Sequence, residues 1–142
     1  MRRLLTIGAF AVLIAGCGHD LGSLESSDSP VARYDWSSRD GGMDALLEGT
    51  LEMRGGCLVV NPSWDEAETV VIPVFPRAHA SWDADSDVLS YAGHGYEIGD
   101  SIWAGGGFVP APPTAAIPAS CAVKAGDDVF LVQTTSLEPP EG

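Results

Sequence analysis

A run that alternates apolar and polar side chains constrains this chain more than any other feature. Leu47, Gly49, Leu51 and Met53 alternate with Glu48, Thr50, Glu52 and Arg54, a period of two that puts one set on each face of a half-buried strand. Gly55-Gly56 follows, then Cys57-Leu58-Val59-Val60, so the two runs predict a hairpin closed by a glycine turn. Asn61-Pro62-Ser63 ends the second strand, and Pro62 in the middle position removes Asn61 as a glycosylation acceptor.

The other apolar runs are short and punctuated. A polar loop with Trp64, Asp65, Glu66 and Glu68 leads into Val70-Val71-Ile72-Pro73-Val74-Phe75, apolar on both faces and so covered on both. Pro73 cannot donate to a ladder, which places this strand at an edge or a bulge. After a loop over residues 76–87, Val88 to Tyr91 and Tyr96-Glu97-Ile98 read as short strands around Gly93-His94-Gly95, and Gly99-Asp100 before Ser101-Ile102-Trp103-Ala104 signals a second hairpin. Three consecutive glycines and Pro110, Pro112, Pro113 and Pro118 predict a long loop without regular structure over residues 105–120. Val129 to Thr134 is the last strand, and residues 136–142 read as a disordered tail. No stretch sustains helical periodicity. The pattern predicts an all-β fold over residues 45–135: a small antiparallel barrel, OB-like or SH3-like, of five to six strands, with a small β-sandwich as the alternative.

Ahead of this domain, residues 18–44 are rich in Ser, Gly and Asp and predict a flexible linker. Tyr34 and Trp36 are its exceptions, a pair suited to packing on the domain as an N-terminal arm. The first sixteen residues have the three-part layout of a secretory signal: Met1-Arg2-Arg3, an apolar run from Leu4 to Ile14, and Ala15-Gly16 before Cys17. The run is too short to span a membrane, which takes about 20 residues. Leu13-Ile14-Ala15-Gly16-Cys17 resembles the lipobox of bacterial lipoproteins. That resemblance implies removal of residues 1–16, diacylglycerol on the Cys17 sulfur and acylation of the new amino terminus, with palmitate as a typical chain. Two or three acyl chains hold a protein durably where one does not, so residues 17–44 become a lipid-anchored linker and the domain sits on the extracytoplasmic face of the cell membrane. Gly18 after the cysteine favours the outer membrane if the source has two.

With Cys17 assigned to lipid, Cys57 and Cys121 remain. An even pair in an exported protein reads as a disulfide, and closing a loop of this length contributes about 4 kcal/mol in the chain-entropy model. Neither cysteine has C-x-x-C spacing, so the bridge is structural. The mature chain of residues 17–142 carries five basic residues against twenty acidic ones, a formal charge of −15. Such a polyanion repels phosphate backbones, which argues against nucleic-acid binding and leaves cations, cationic peptides or basic proteins as the favoured partners.

The mature domain also resembles a loosely defined set of uncharacterised small β-barrel lipoproteins. The shared pattern is Gly49 and Leu51, Gly56 to Leu58, the apolar run reaching Phe75-Pro76, Trp82, Gly99-Asp100, Gly105 to Gly107, and the late Cys121. That resemblance implies a fold and carries no known activity.

Candidate sites are few. Asp83, Asp85 and Asp87 alternate as calcium loops begin, but the sixth and twelfth positions hold Val88 and His94 rather than the glycine and glutamate such loops require. His79 and His94 lack a ligand cluster for zinc. Ser81 and Ser90 accompany these histidines without a G-x-S-x-G elbow or an H-E-x-x-H helix, so no catalytic residue is assigned. Gly105-Gly106-Gly107 lacks the helix and lysine of an anion cradle. Trp64, Trp82 and Trp103 could form a sugar- or peptide-stacking face, against core filling by at least one of them. The sequence therefore leads to a noncatalytic, membrane-anchored module that binds a protein, peptide or glycan of the cell envelope and needs no cofactor. A calcium-dependent module and an envelope hydrolase are the alternatives.

Overall fold

In the computed structural model, which describes residues 29–64 and 69–141, the short apolar runs become nine strands and no α-helix among the described residues. In chain order they are β1 (Ala32–Tyr34), β2 (Ala45–Arg54), β3 (Cys57–Pro62), β4 (Pro73–Pro76), β5 (Ala80–Asp83), β6 (Val88–Tyr91), β7 (His94–Glu97), β8 (Ser101–Pro110) and β9 (Asp128–Val132). The alternating run pairs with its neighbour as expected, Arg54 opposite Cys57 and Gly49 opposite Pro62. Leu47 and Leu51 are buried, while Glu48, Thr50 and Glu52 face outward.

Six strands form one sheet in the order β1-β4-β9-β8-β2-β3, and β5-β6-β7 form a separate three-stranded meander. The large sheet curls into a half-barrel until its far edges meet through a few hydrogen bonds. The Leu58 N–H donates to the Pro30 carbonyl at 2.9 Å, and Val60 and Val71 exchange two backbone bonds of 2.9 and 2.8 Å. The meander contributes Ala80, Leu89, Tyr91 and Tyr96 to the same core as Leu47, Leu51, Leu58, Phe75, Ile102 and Phe130. Cys57, at the start of β3, is disulfide-bonded to Cys121, whose Cα lies 4.9 Å away. The bridge ties the long loop after β8 to the barrel edge, and Ser120 Oγ donating to the Gly56 carbonyl at 2.8 Å reinforces it.

Five sequence expectations change. First, the sheet is mixed rather than antiparallel, because β1 and β9 both run parallel to β4. Pro73 is consequently the first residue of an interior strand, a position where a missing N–H is tolerated. Parallel strands are stable when covered on both faces, and these are: Ala32, Tyr34, Val74, Val129 and Leu131 pack against Ala111, Ala115, Ile117 and Val123 of the proline-rich loop. Second, the expected linker does not extend to residue 44. From Ser29 onward the chain belongs to the domain, with Val31, Ala32 and Tyr34 buried and Arg33 bridged to Ala116; residues 1–28, including Cys17, lie outside the described residues.

Third, the triple glycine is the middle of β8, paired to β2 on one side and to β9 on the other. The glycines are there for space. A Cβ on Gly106 would collide with the Leu131 carbonyl, and one on Gly107 with the Met43 side chain. Fourth, Gly99-Asp100 does not close a hairpin, since β7 and β8 lie in different sheets. The turn instead docks on β2, where the Leu51 N–H donates to the Asp100 carbonyl at 2.9 Å and the Gly99 N–H to the Leu51 carbonyl at 2.8 Å. Fifth, the tail beyond Thr135 is not disordered throughout: Leu137 is fully buried in the main core.

Candidate functional site

Inward packing of Leu47, Leu51, Ile102 and Ala104 leaves Leu46 and Glu48 of β2 and Trp103 and Gly105 of β8 on the outer face. The register sets Leu46 opposite Gly105 and Glu48 opposite Trp103. Directly opposed residues on one face of an antiparallel pair are close neighbours, so this face carries an indole beside a carboxylate and a leucine beside a bare backbone. Leu46 remains 51% exposed. Two irregular segments border it, residues 36–42 and residues 133–140, and between them lies a groove of 620 Å³ lined by Trp36, Leu46, Trp103, Gln133, Thr134 and Glu138 among others.

Both walls are held by hydrogen bonds that the sequence does not advertise. In the first, Ser37 caps the 3₁₀ turn Ser38–Asp40, accepting from the Arg39 N–H while Asp40 accepts from the Ser37 N–H. The Trp36 indole N–H donates to the Gly41 carbonyl at 2.9 Å, which folds the ring back over the turn. The Met43 N–H donates to Gln133 Oε1 at 2.7 Å and joins one wall to the other.

The second wall is latched by three tyrosines. Tyr34 donates to the Val132 carbonyl at 2.8 Å, Tyr91 to the Thr134 carbonyl, and Tyr96 to Glu138 Oε1 at 2.8 Å. The Trp103 N–H adds a bond to the Leu137 carbonyl at 2.9 Å. Burial pushes the Tyr34 phenol up to about 12 and raises Tyr91 further. Tyr96 is also pushed up to about 12, by burial first and then by its bond to Glu138. All three therefore stay neutral donors across the ordinary pH range.

Of the three tryptophans expected to share a stacking face, only Trp103 lines the groove. Trp64 is 54% exposed after the end of β3, and Trp82 packs against the core from β5. The other indole in the lining is Trp36, which lies in the stretch expected to be linker. Its signal was the Tyr34-x-Trp36 pair within an otherwise Ser/Gly/Asp-rich stretch.

Asp83, Asp85 and Asp87 do not converge on a cation site. They build the β5–β6 turn, in which Asp83 Oδ1 accepts from the Asp85 N–H at 2.9 Å and the Ser86 N–H at 3.4 Å. Hydrogen bonds from Ser86 and Asp85 hold the Asp83 carboxyl below its usual range. Among the described residues no three His, Cys, Asp or Glu side chains are grouped to hold a metal. His79 meets the Tyr91 ring edge-on at 6.0 Å, and His94 is the strand partner of Tyr91. Ser81 and Ser90 face each other across β5 and β6, away from the groove.

Chemically, the groove offers two indoles and a leucine for stacking, hydroxyl and amide groups for hydrogen bonding, and one fixed carboxylate. Its lining contains neither histidine nor cysteine. Comparison of the chain with protein-family models, with curated proteins and with solved structures finds no match.

Proposed function

We propose that this protein is a noncatalytic binding module, anchored outside the cell through acyl chains on Cys17, that receives a protein, peptide or other envelope ligand in the Trp36–Trp103 groove. The observation that carries the reading is the latched groove itself: Trp103 and an exposed Leu46 on the sheet, and the Trp36 indole on one of the two hydrogen-bonded walls that flank them. Sites built on strands and locked by surrounding hydrogen bonds suit recognition, because little ordering entropy is left to lose on binding. The lipobox-like segment before Cys17 supports the anchor. A small-barrel kinship, OB-like or SH3-like, is supported by the curl that brings β3 back to Pro30 and Val71. The calcium-dependent alternative gains no support, since the Asp83 carboxylate is engaged in its own turn.

The test is photocrosslinking on intact cells. A photoreactive side chain at Leu46, inside the groove, is expected to capture a discrete partner that the same group at Phe108, an exposed position outside the groove lining, does not. Equal labelling from both positions, or none from either, would refute a groove-based binding role.

A further inference from the structure

Resting on that reading, we infer that the groove takes a cationic peptide segment, seating an arginine or lysine side chain against the Trp36 and Trp103 indoles with its charge directed to Glu138 and Glu48. Three observations converge. Glu138 is the single charged group in a lining that otherwise holds two indoles, Leu46 and neutral hydroxyl and amide side chains. That carboxylate is positioned, because Tyr96 donates to Oε1 at 2.8 Å and the Glu138 N–H donates to Ser136 Oγ at 3.1 Å; Oε2 is left for a ligand. Glu48 lies cross-strand from Trp103 on the same outer face, and neither Glu48 nor Glu138 is in an ion pair among the described residues.

Charge extends the same preference beyond the lining. The segments that build the groove, residues 36–48, 101–105 and 133–141, carry Asp40, Asp44, Glu48, Glu138 and Glu141 against Arg39 alone. An indole face attracts a cation through its quadrupole, and the attraction strengthens where a carboxylate shares the site and water is partly excluded. The chain's own residues 17–28 are excluded as occupant on the same ground, since they contain Asp20, Glu25 and Asp28 and no lysine or arginine. A neutral glycan would stack on the indoles and could donate hydroxyls to the carboxylates, but would gain nothing from their charge.

The experiment is a calorimetric and tryptophan-emission titration of the disulfide-intact domain with a blocked Gly-Arg-Gly-Arg-Gly peptide. Its citrulline counterpart, which keeps shape and removes charge, and a chitooligosaccharide are titrated in parallel. The arginine peptide is expected to bind saturably, to weaken as salt rises, and to bind about tenfold more tightly than the citrulline peptide. Glu138→Gln keeps an oxygen for Tyr96 and should weaken the arginine peptide about fivefold without changing Tm. Trp103→Phe should weaken it less than Trp103→Ala. Equal binding of arginine and citrulline peptides, or binding of the glycan alone, would overturn the cationic assignment and leave the groove a binding site. No binding by any of the three probes overturns it as well, and photocrosslinking from Leu46 would then decide whether the groove binds anything.

Discussion

At the scale of single residues, glycine and tyrosine carry the architecture. Gly106 sits where β8 passes so close to β9 that any Cβ would meet the Leu131 carbonyl, a backbone atom that cannot rotate away. Gly106→Ala should therefore cost at least about 3 kcal/mol in urea unfolding. Gly42→Ala, where the nearest neighbour of a new Cβ is Gln133 at 3.5 Å, should stay within about 0.5 kcal/mol. The tyrosines make a prediction in pH. Their ordinary phenol value is 10.0, and burial holds Tyr34 and Tyr96 at about 12 in the folded protein. Between these values the native state keeps protons that the unfolded state has released. The stabilisation is thus complete below pH 10 and is lost as pH climbs through 12. Urea midpoints measured across that window should fall while tyrosinate absorbance rises, and Tyr34→Phe together with Tyr96→Phe should flatten the decline.

At the scale of elements, the segment after β9 is the least expected part of the fold and the one on which the groove depends. It has no ladder of its own. Leu137 fills the core, its carbonyl accepts from Trp103, and hydroxyls from β1, β6 and β7 hold the backbone or Glu138 on either side. Leu137→Ala should cost about 2 to 4 kcal/mol by leaving a cavity, and hydrogen exchange should show the loss of protection spreading to the Trp103 amide. Unchanged exchange there would mean the segment does not brace the groove wall. The loop between β8 and β9 plays a comparable part on the other side. It covers the outer face of the parallel strands and is fastened by Cys121, which is why a proline-rich stretch without strands of its own is packed rather than loose.

For the whole molecule, the proposed anchor at Cys17 makes a prediction about location. On the proposed reading, Cys17→Ser should release the protein from the membrane fraction into the medium; retention in the membrane would refute the acyl anchor. A formal charge of −13 over the whole chain disfavours self-association and, on the proposed reading, favours basic partners.

How much of this was legible beforehand follows from which interactions are local. The alternation of residues 47–54, the Gly55-Gly56 turn and the pairing of the two later cysteines were decided by the chain itself, because strand faces and tight turns leave a local mark and an even pair of cysteines a compositional one. Trp103, one of three tryptophans the sequence offered for a stacking face, does line the groove. The sequence did not reveal that Trp36 lines the same groove, the parallel placement of β1, the glycine-filled interior of β8 or the buried Leu137. Each of these depends on an element far away in sequence: β4 for β1, β9 for Gly106, and three separate strands for the tyrosine latch. Hydrophobic periodicity records which face of a strand is buried, and only the tertiary structure decides what that face is buried against.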